Sequence, residues 1–114
     1  MKRKSLQQRG GPHWQFVVRS RLGLAVRTTA RYWSLITSVK HPTLEGKEPA
    51  VIQTLVEPDE IRLSRVDESV YLFYRRKGKR YLCVVVKKAE PKTAFIMTAY
   101  VTEKIKEGRV LWKR

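Results

Sequence analysis

Apolar residues in the first half of the chain recur at the spacing of α-helices. From Tyr32 to Val39 they lie three or four positions apart, and a second apolar stripe runs from Val51 to Val56. Spacing of this kind lines one side of a helix that packs on a core. Pro42 should end the first helix, because the residue before a proline avoids helical backbone angles. The pattern therefore predicts two helices, each with one buried side.

The second half of the chain has the pattern of β-strands. Ile61 and Leu63 alternate with polar residues, and two strand-like runs cover residues 70–76 and 80–88. The short glycine-containing turn between those two runs predicts an antiparallel hairpin. Residues 93–101 follow as a fourth strand.

The order of these elements predicts an α+β fold. We expect the N-terminal helices to pack on one face of an antiparallel sheet of about four strands. Residues 14–18 are also strand-like, and residues 22–26 are a weaker strand candidate. Residues 1–12 are polar and basic, which predicts a flexible tail, so that residues 13–114 form a single domain.

The charge of the chain predicts an anionic partner. Lys and Arg number 25 against 10 Asp and Glu, a formal net charge of +15. Such an excess favours nucleic acid, an acidic membrane surface or an acidic protein. Nucleic acid is the preferred interpretation, because the charge is spread among folded segments and is not gathered on one amphipathic helix.

Few features indicate a metal site, a disulfide or a membrane segment. Cys83 is the only cysteine and lies in an apolar run, so no intrachain disulfide can form, as is usual in a reducing compartment. Two histidines, one cysteine and no carboxylate cluster predict no metal and no cofactor. No stretch has the roughly 20 apolar residues that cross a bilayer. We therefore expect a soluble, cytoplasmic protein without a membrane partner.

A row of hydroxyls marks the end of the fourth strand as a candidate site. Thr98, Tyr100 and Thr102 alternate with apolar residues, which places them on one face of a strand. If the neighbouring strands present matching faces, Arg75 and Lys87 would converge with them and bind phosphate. The same pattern also fits solvated strand ends around a tyrosine of the core, and the register that decides between the two cannot be read from the sequence.

Segments in unbroken order across about residues 29–112 resemble one nuclease superfamily. The resemblance is to the phage-associated, single-domain branch of the barnase–EndoU–colicin–RelE-like nucleases, also called the BECR fold. The segments that carry it are Arg31–Pro42 with its Lys40-His41-Pro42 end, Val51–Ile61, Tyr71–Arg76, Tyr81–Lys87, and Thr98–Trp112 with its Thr98-Ala99-Tyr100 start.

This resemblance implies a metal-independent endoribonuclease that acts on RNA. In such enzymes the 2′-hydroxyl attacks the adjacent phosphorus and leaves a cyclic phosphate end, so that proton transfer and cations are needed but no metal. The resemblance also implies a toxin. We expect its partner to be an acidic antitoxin protein that covers the basic surface.

The resemblance suggests a role for each candidate catalytic residue. His41 is the candidate general acid or base, since imidazole titrates near neutral pH. Arg75 would clamp the phosphate and Lys87 would add a second charge. Thr98 and Tyr100 would donate hydrogen bonds or help move a proton. The further RNA-binding candidates are the basic and aromatic residues Arg31, Trp33, Lys40, Tyr74, Lys104 and Lys106, of which the two aromatic residues also fit the core.

The chain departs from the family pattern at Leu35. Relatives carry a further histidine at this position of the first helix, and this chain has none there. The departure favours an alternative function, which is an RNA-binding or nucleic-acid-binding domain of the same fold that does not cleave its ligand.

Overall fold

A seven-stranded mixed sheet is the main feature of residues 13–114, the part of the chain that the computed structural model describes. The tail predicted for residues 1–12 lies outside the described residues. The strands follow one another across the sheet in the order β1-β2-β6-β5-β4-β3-β7, and β2 and β6 are the one parallel pair among the described strands. Their bounds are Trp14–Arg19 (β1), Ala25–Thr29 (β2), Glu60–Leu63 (β3), Val70–Lys77 (β4), Arg80–Glu90 (β5), Thr93–Thr102 (β6) and Arg109–Lys113 (β7).

Short helical segments connect β2 to β3. They are the α-helix α1 (Ala30–Leu35), a π-helical stretch (Ile36–Lys40), a 3₁₀ turn (Pro42–Leu44) and the α-helix α2 (Glu48–Val56). The Thr29 hydroxyl caps α1 by accepting the backbone N–H of Tyr32 at 3.0 Å. The first helical region ends before Pro42, as predicted, but it changes from α to π geometry on the way.

The prediction of N-terminal helices on a four-stranded antiparallel sheet is wrong. The four predicted strands do form an antiparallel series, β3 to β6, but three more strands extend it to seven and make it mixed. The β1–β2 hairpin precedes the helices and adds to β6, and β7 adds to β3. The physical reason lies at the edges of the series, where unpaired backbone N–H and C=O groups are satisfied by additional strands.

The sheet has two unlike faces. The face under α1 and α2, here called the helix face, contains the main core, with Val26, Phe73 and Val84 all 0% exposed. The opposite face, here called the outer face, holds a smaller cluster of Leu72, Tyr74 and Cys83. Ile105, from the segment between β6 and β7, packs on that cluster. The outer face is therefore covered over its centre by a loop and not by a helix.

Gly108 ends this loop and explains how closely it approaches the sheet. Its φ is +80°, and a Cβ at this position would lie 2.6 Å from the carbonyl oxygen of Leu63. Glycine is favoured here because it has no Cβ and adopts positive φ readily.

The helices of residues 13–114 are all too short, or too polar, to span a membrane.

Candidate functional site

His41 and Tyr100 come together at the edge of β6. Their ring centroids are 6.1 Å apart, with an angle of 39° between the ring planes, and both side chains are half-buried. The backbone N–H of His41 donates to the carbonyl of Ile36 at 2.7 Å, which closes the π-helical stretch, and Pro42 begins the following turn. Elements on both sides therefore fix the backbone position of His41. π-Helical turns of this kind are frequent at functional sites.

The helical segment brings further groups to the same edge. β2 pairs with only the first three residues of β6, and beyond them the hydroxyl of Tyr32 donates to the carbonyl of Met97 at 2.6 Å. Lys40 in turn donates to the Tyr32 hydroxyl at 3.3 Å and lies over the ring. The edge of β6 is thus occupied by side chains of this segment, among which Lys40 is exposed.

The shared face predicted for the three hydroxyl residues is confirmed. Thr98, Tyr100 and Thr102 lie opposite Val85, Cys83 and Tyr81 of β5, respectively, so they share the outer face. The hydroxyl of Thr98 is buried and has no hydrogen-bond partner among residues 13–114. A buried hydroxyl without a partner costs about 1–3 kcal/mol, and because this oxygen is closed off from solvent a bound phosphate does not reach it in this conformation.

Burial controls the protonation of the groups around Tyr100. Burial raises the pKa of Tyr100 well above its ordinary value, and the neighbouring Cys83 raises it further. Tyr100 therefore keeps its proton at neutral pH and does not act as a base, and its phenol also lies within hydrogen-bonding reach of Cys83 and Tyr74. Burial likewise raises the pKa of Cys83 to about 12. Because the thiolate is the reactive form, Cys83 is a core residue and not a nucleophile.

A cavity of about 450 Å³ adjoins Tyr100 on the outer face. Arg65 and Lys106, both exposed, contribute to its walls, together with Glu107 from the same loop. The β6–β7 segment thus brings a cation close to Tyr100, as expected for a surface that receives phosphate.

Lys87 lies on the outer face but is already paired. Its ammonium group is 3.3 Å from a carboxylate oxygen of Asp67. Hydrogen bonds from the hydroxyl and the backbone N–H of Ser69, with a smaller contribution from Lys87, lower the pKa of Asp67 to about 2. Asp67 is therefore charged at neutral pH and offsets part of the charge that Lys87 would offer to a phosphate.

Arg75 does not converge with the other candidates, and this part of the predicted site is corrected. The hairpin register places Arg75 opposite Leu82, on the helix face, where it donates to the carbonyl of Glu57 beyond the end of α2. Thr98 and Tyr100 lie on the other face of the sheet. The cause is strand parity, since Arg75 shares its face with the core residue Phe73.

The predicted RNA-binding residues divide into exposed and buried groups. Trp33 is only 4% exposed, packed at 5.9 Å against Phe16, and Tyr74 is only 1% exposed. Neither ring offers a free face to a base, which corrects their assignment as stacking residues. The basic candidates are exposed in every case: Arg31, Lys40, Lys104 and Lys106.

Sequence reasoning missed a group of residues on the outer face over β1, β2 and β6. The guanidinium of Arg27 lies 5.1 Å from the ring centroid of Trp14 and 5.0 Å from that of Phe95. Both rings are 40% exposed. The signal was weak, because only the pairing of the strands brings these three residues together.

The arrangement around His41 can carry proton transfer and hydrogen bonding to an anion. It offers one imidazole and one phenol that stays protonated. Within residues 13–114, no three His, Cys, Asp or Glu side chains are grouped so as to hold a metal ion.

Comparisons of the chain with known protein families, with characterised proteins and with solved structures find no significant match. The resemblance to the BECR nucleases therefore rests on the sequence segments alone and stays a prediction.

Proposed function

We propose that this protein is an endoribonuclease that cleaves RNA without a metal, with His41, Tyr100 and Thr98 at its site. The observation that carries the proposal is the contact of the His41 ring with Tyr100, 6.1 Å between centroids, next to a buried hydroxyl without a partner. The net charge of +15 supports a polyanionic substrate.

The proposed reaction uses the 2′-hydroxyl of RNA as the nucleophile. The 2′-oxygen forms a bond to the adjacent phosphorus while the bond from phosphorus to the 5′-oxygen breaks, which leaves a 2′,3′-cyclic phosphate and a 5′-hydroxyl. Neutral His41 takes the proton of the 2′-hydroxyl, and the resulting imidazolium can return a proton to the leaving 5′-oxygen. One imidazole thus accepts the first proton and supplies the second.

Tyr100 would act on the phosphoryl oxygens, while Thr98, whose hydroxyl is buried, lies two residues before it in β6. A phenol that keeps its proton is a hydrogen-bond donor, and a donor aimed at developing negative charge stabilises the transition state. Nearby exposed cations, Lys40 beside His41 and Lys106 beside Tyr100, would hold the flanking phosphates. The assignment of Arg75 as the phosphate clamp is not kept, since it lies on the helix face.

The biological setting remains part of the proposal. A ribonuclease of this kind acting as a toxin in the cytoplasm would need an inhibitor. An acidic antitoxin is the expected form, because it would be attracted to the same basic surface as RNA.

Cleavage in the presence of a chelator tests the proposal. Labelled single-stranded RNA is incubated with the protein in excess EDTA, beside the same oligonucleotide with 2′-deoxyribose at every position. We expect cleavage of the RNA to cyclic phosphate ends and no cleavage of the deoxy form. His41→Ala should lower the rate by about 10²–10⁴-fold, the usual contribution of a general acid or base.

The other histidine supplies the matched control. His13 is exposed, immediately precedes β1 and is not among the residues proposed to act in cleavage, so His13→Ala should keep the wild-type rate. Equal rates for wild type and His41→Ala would overturn the assignment of His41.

One observation favours the second candidate function, an RNA-binding domain that does not cleave. The strongest predicted phosphate ligand, Arg75, lies on the face opposite His41 and Tyr100. Leu35, at a position where the BECR nucleases that the sequence resembles carry a histidine, favours the same alternative. Tight RNA binding by the wild-type protein with intact RNA after long incubation would select this function.

A further inference from the structure

The outer face over β1, β2 and β6 exposes four large apolar side chains. Trp14, Val17, Phe95 and Met97 are 40, 53, 40 and 39% exposed. They surround one cation, Arg27, whose guanidinium lies against two aromatic rings. On a soluble protein, contiguous exposed apolar patches often mark binding surfaces.

Two irregularities in the strands build this surface. The pairing of β5 with β6 shifts between Val85 and Val86, which leaves Met97 as an extra residue and turns Phe95 to the same face as Thr98 and Tyr100. A similar shift in β1 at Gln15 turns Trp14 to the face of Arg27. Extra residues of this kind re-aim side chains and are common next to functional sites.

The charge at the surface is free to bind an anion. Arg27 forms no salt bridge with any Asp or Glu of residues 13–114, and its Nε is buried without a partner. The adjoining cavity of about 450 Å³ is lined by Arg27, Tyr32, Lys87, Phe95 and Met97. Its volume falls in the range of pockets that hold small organic groups.

From these observations we infer that Trp14, Arg27 and Phe95 form a stacking subsite for the bases of single-stranded RNA. The exposed rings would stack on bases, while Arg27 binds the adjoining phosphate. Exposed aromatic rings beside unpaired cations suit single-stranded nucleic acid, which presents flat bases and a charged backbone together. An acidic protein would satisfy the cations but would leave the two rings without flat partners.

This subsite lies on the path to the proposed cleavage site, and in that respect it rests on the proposed function. Phe95 and Tyr100 face the same side of β6, opposite Lys87 and Cys83 of β5. Those partners are four residues apart, so the two rings are about 13 Å apart along the strand. Tyr32 links the two regions, since it lines the cavity and also bonds to Lys40 next to His41. An RNA strand running along β6 would contact the stacking subsite before it reaches His41.

Binding of an RNA that cannot be cleaved tests the subsite separately from the enzyme. A fluorescent ten-nucleotide 2′-O-methyl RNA lacks the free 2′-hydroxyl, and its affinity is measured by anisotropy. We expect Phe95→Ala to weaken binding by about fivefold or more, the loss typical of one stacked base, and Phe95→Tyr to restore it. The control is Leu111→Ala in β7, where the side chain is 41% exposed and distant from the subsite, and it should bind as the wild type does.

Two further ligands separate base stacking from simple charge attraction. A ten-unit abasic chain keeps the phosphates but has no bases, so wild type and Phe95→Ala should bind it equally and weakly. A poly-glutamate peptide of the same charge should also show no dependence on Phe95.

The inference is overturned if Phe95→Ala and Leu111→Ala bind the RNA alike, or if the abasic chain binds as tightly as the complete one. It is equally overturned if Phe95→Ala weakens binding of the poly-glutamate peptide. None of these results bears on cleavage by His41, which is measured with ordinary RNA.

Discussion

Each face of the sheet carries a phenylalanine, which is buried on the helix face and exposed on the outer face. On the helix face Phe73 is 0% exposed and packs under the helices, whereas on the outer face Phe95 keeps 40% of its surface in solvent. Both lie in strands of one sheet, two strands apart. The comparison shows that the helix face supplies stability and that the open part of the outer face has the composition of a binding surface.

Removal of one phenylalanine from each face gives the largest expected contrast. Phe73→Ala should lower the free energy of unfolding by about 3–5 kcal/mol, because it leaves a cavity in the core. Phe95→Ala should lower it by less than about 1 kcal/mol, since its ring is already partly in water. Urea denaturation measures both values. Equal losses would mean that the open face is part of the core, and the comparison would fail.

The sequence predicted the positions of the strands better than it predicted which strands pair with one another. The four predicted strands, the β4–β5 hairpin, the helix end before Pro42 and the shared face of Thr98 and Tyr100 are all present. These features depend on local periodicity and on turn residues, which a single sequence contains. The count of strands was wrong because the pairing of β2 with β6 and of β7 with β3 joins distant segments.

Strand parity explains the errors in the site. Alternation gave the correct face for Lys87 and Tyr100, but the register that separates Arg75 from them is a tertiary property. Phe95 was missed for a related reason, because uninterrupted alternation places it on the face opposite Tyr100. The extra residue in β6 brings Phe95 to the same face as Tyr100, and no local sequence pattern predicts that extra residue.

The covered centre of the outer face should differ from the open part in its response to alkali. Cys83 lies under Ile105, and burial raises its pKa from an ordinary value of 9.0 to about 12. Above pH 9 the unfolded chain therefore loses a proton that the folded protein keeps, so stability falls as pH rises toward 12. The expected slope from this thiol is about 1.4 kcal/mol per pH unit.

Urea denaturation between pH 8 and 10.5 checks this, with Cys83→Ala as the comparison. The variant should lose stability less steeply than the wild type over this range, whatever its stability at pH 8. Tyr74 and Tyr100 remain in the variant, and burial, the largest cause of their raised pKa values, remains with them, whereas the smaller contribution of Cys83 to both is lost. Parallel curves for the two proteins would show that the thiol is accessible and that the loop does not cover the cluster.

Release of Lys87 from Asp67 gives the smallest effect and tests whether RNA reaches the outer face at all. Asp67→Asn removes the negative charge that lies 3.3 Å from the ammonium group, so Lys87 becomes free to bind a phosphate. We expect binding of single-stranded RNA to tighten about two- to fivefold, with a salt dependence steeper by about 0.7 in the logarithmic slope.

Glu68→Gln is the matched control, since this exposed neighbour loses the same charge but forms no ion pair with the described residues. If both variants tighten binding equally, the gain comes from net charge alone. A gain confined to Asp67→Asn places the RNA backbone next to Lys87, on the face that carries Phe95 and Tyr100 and not on the face that carries Arg75.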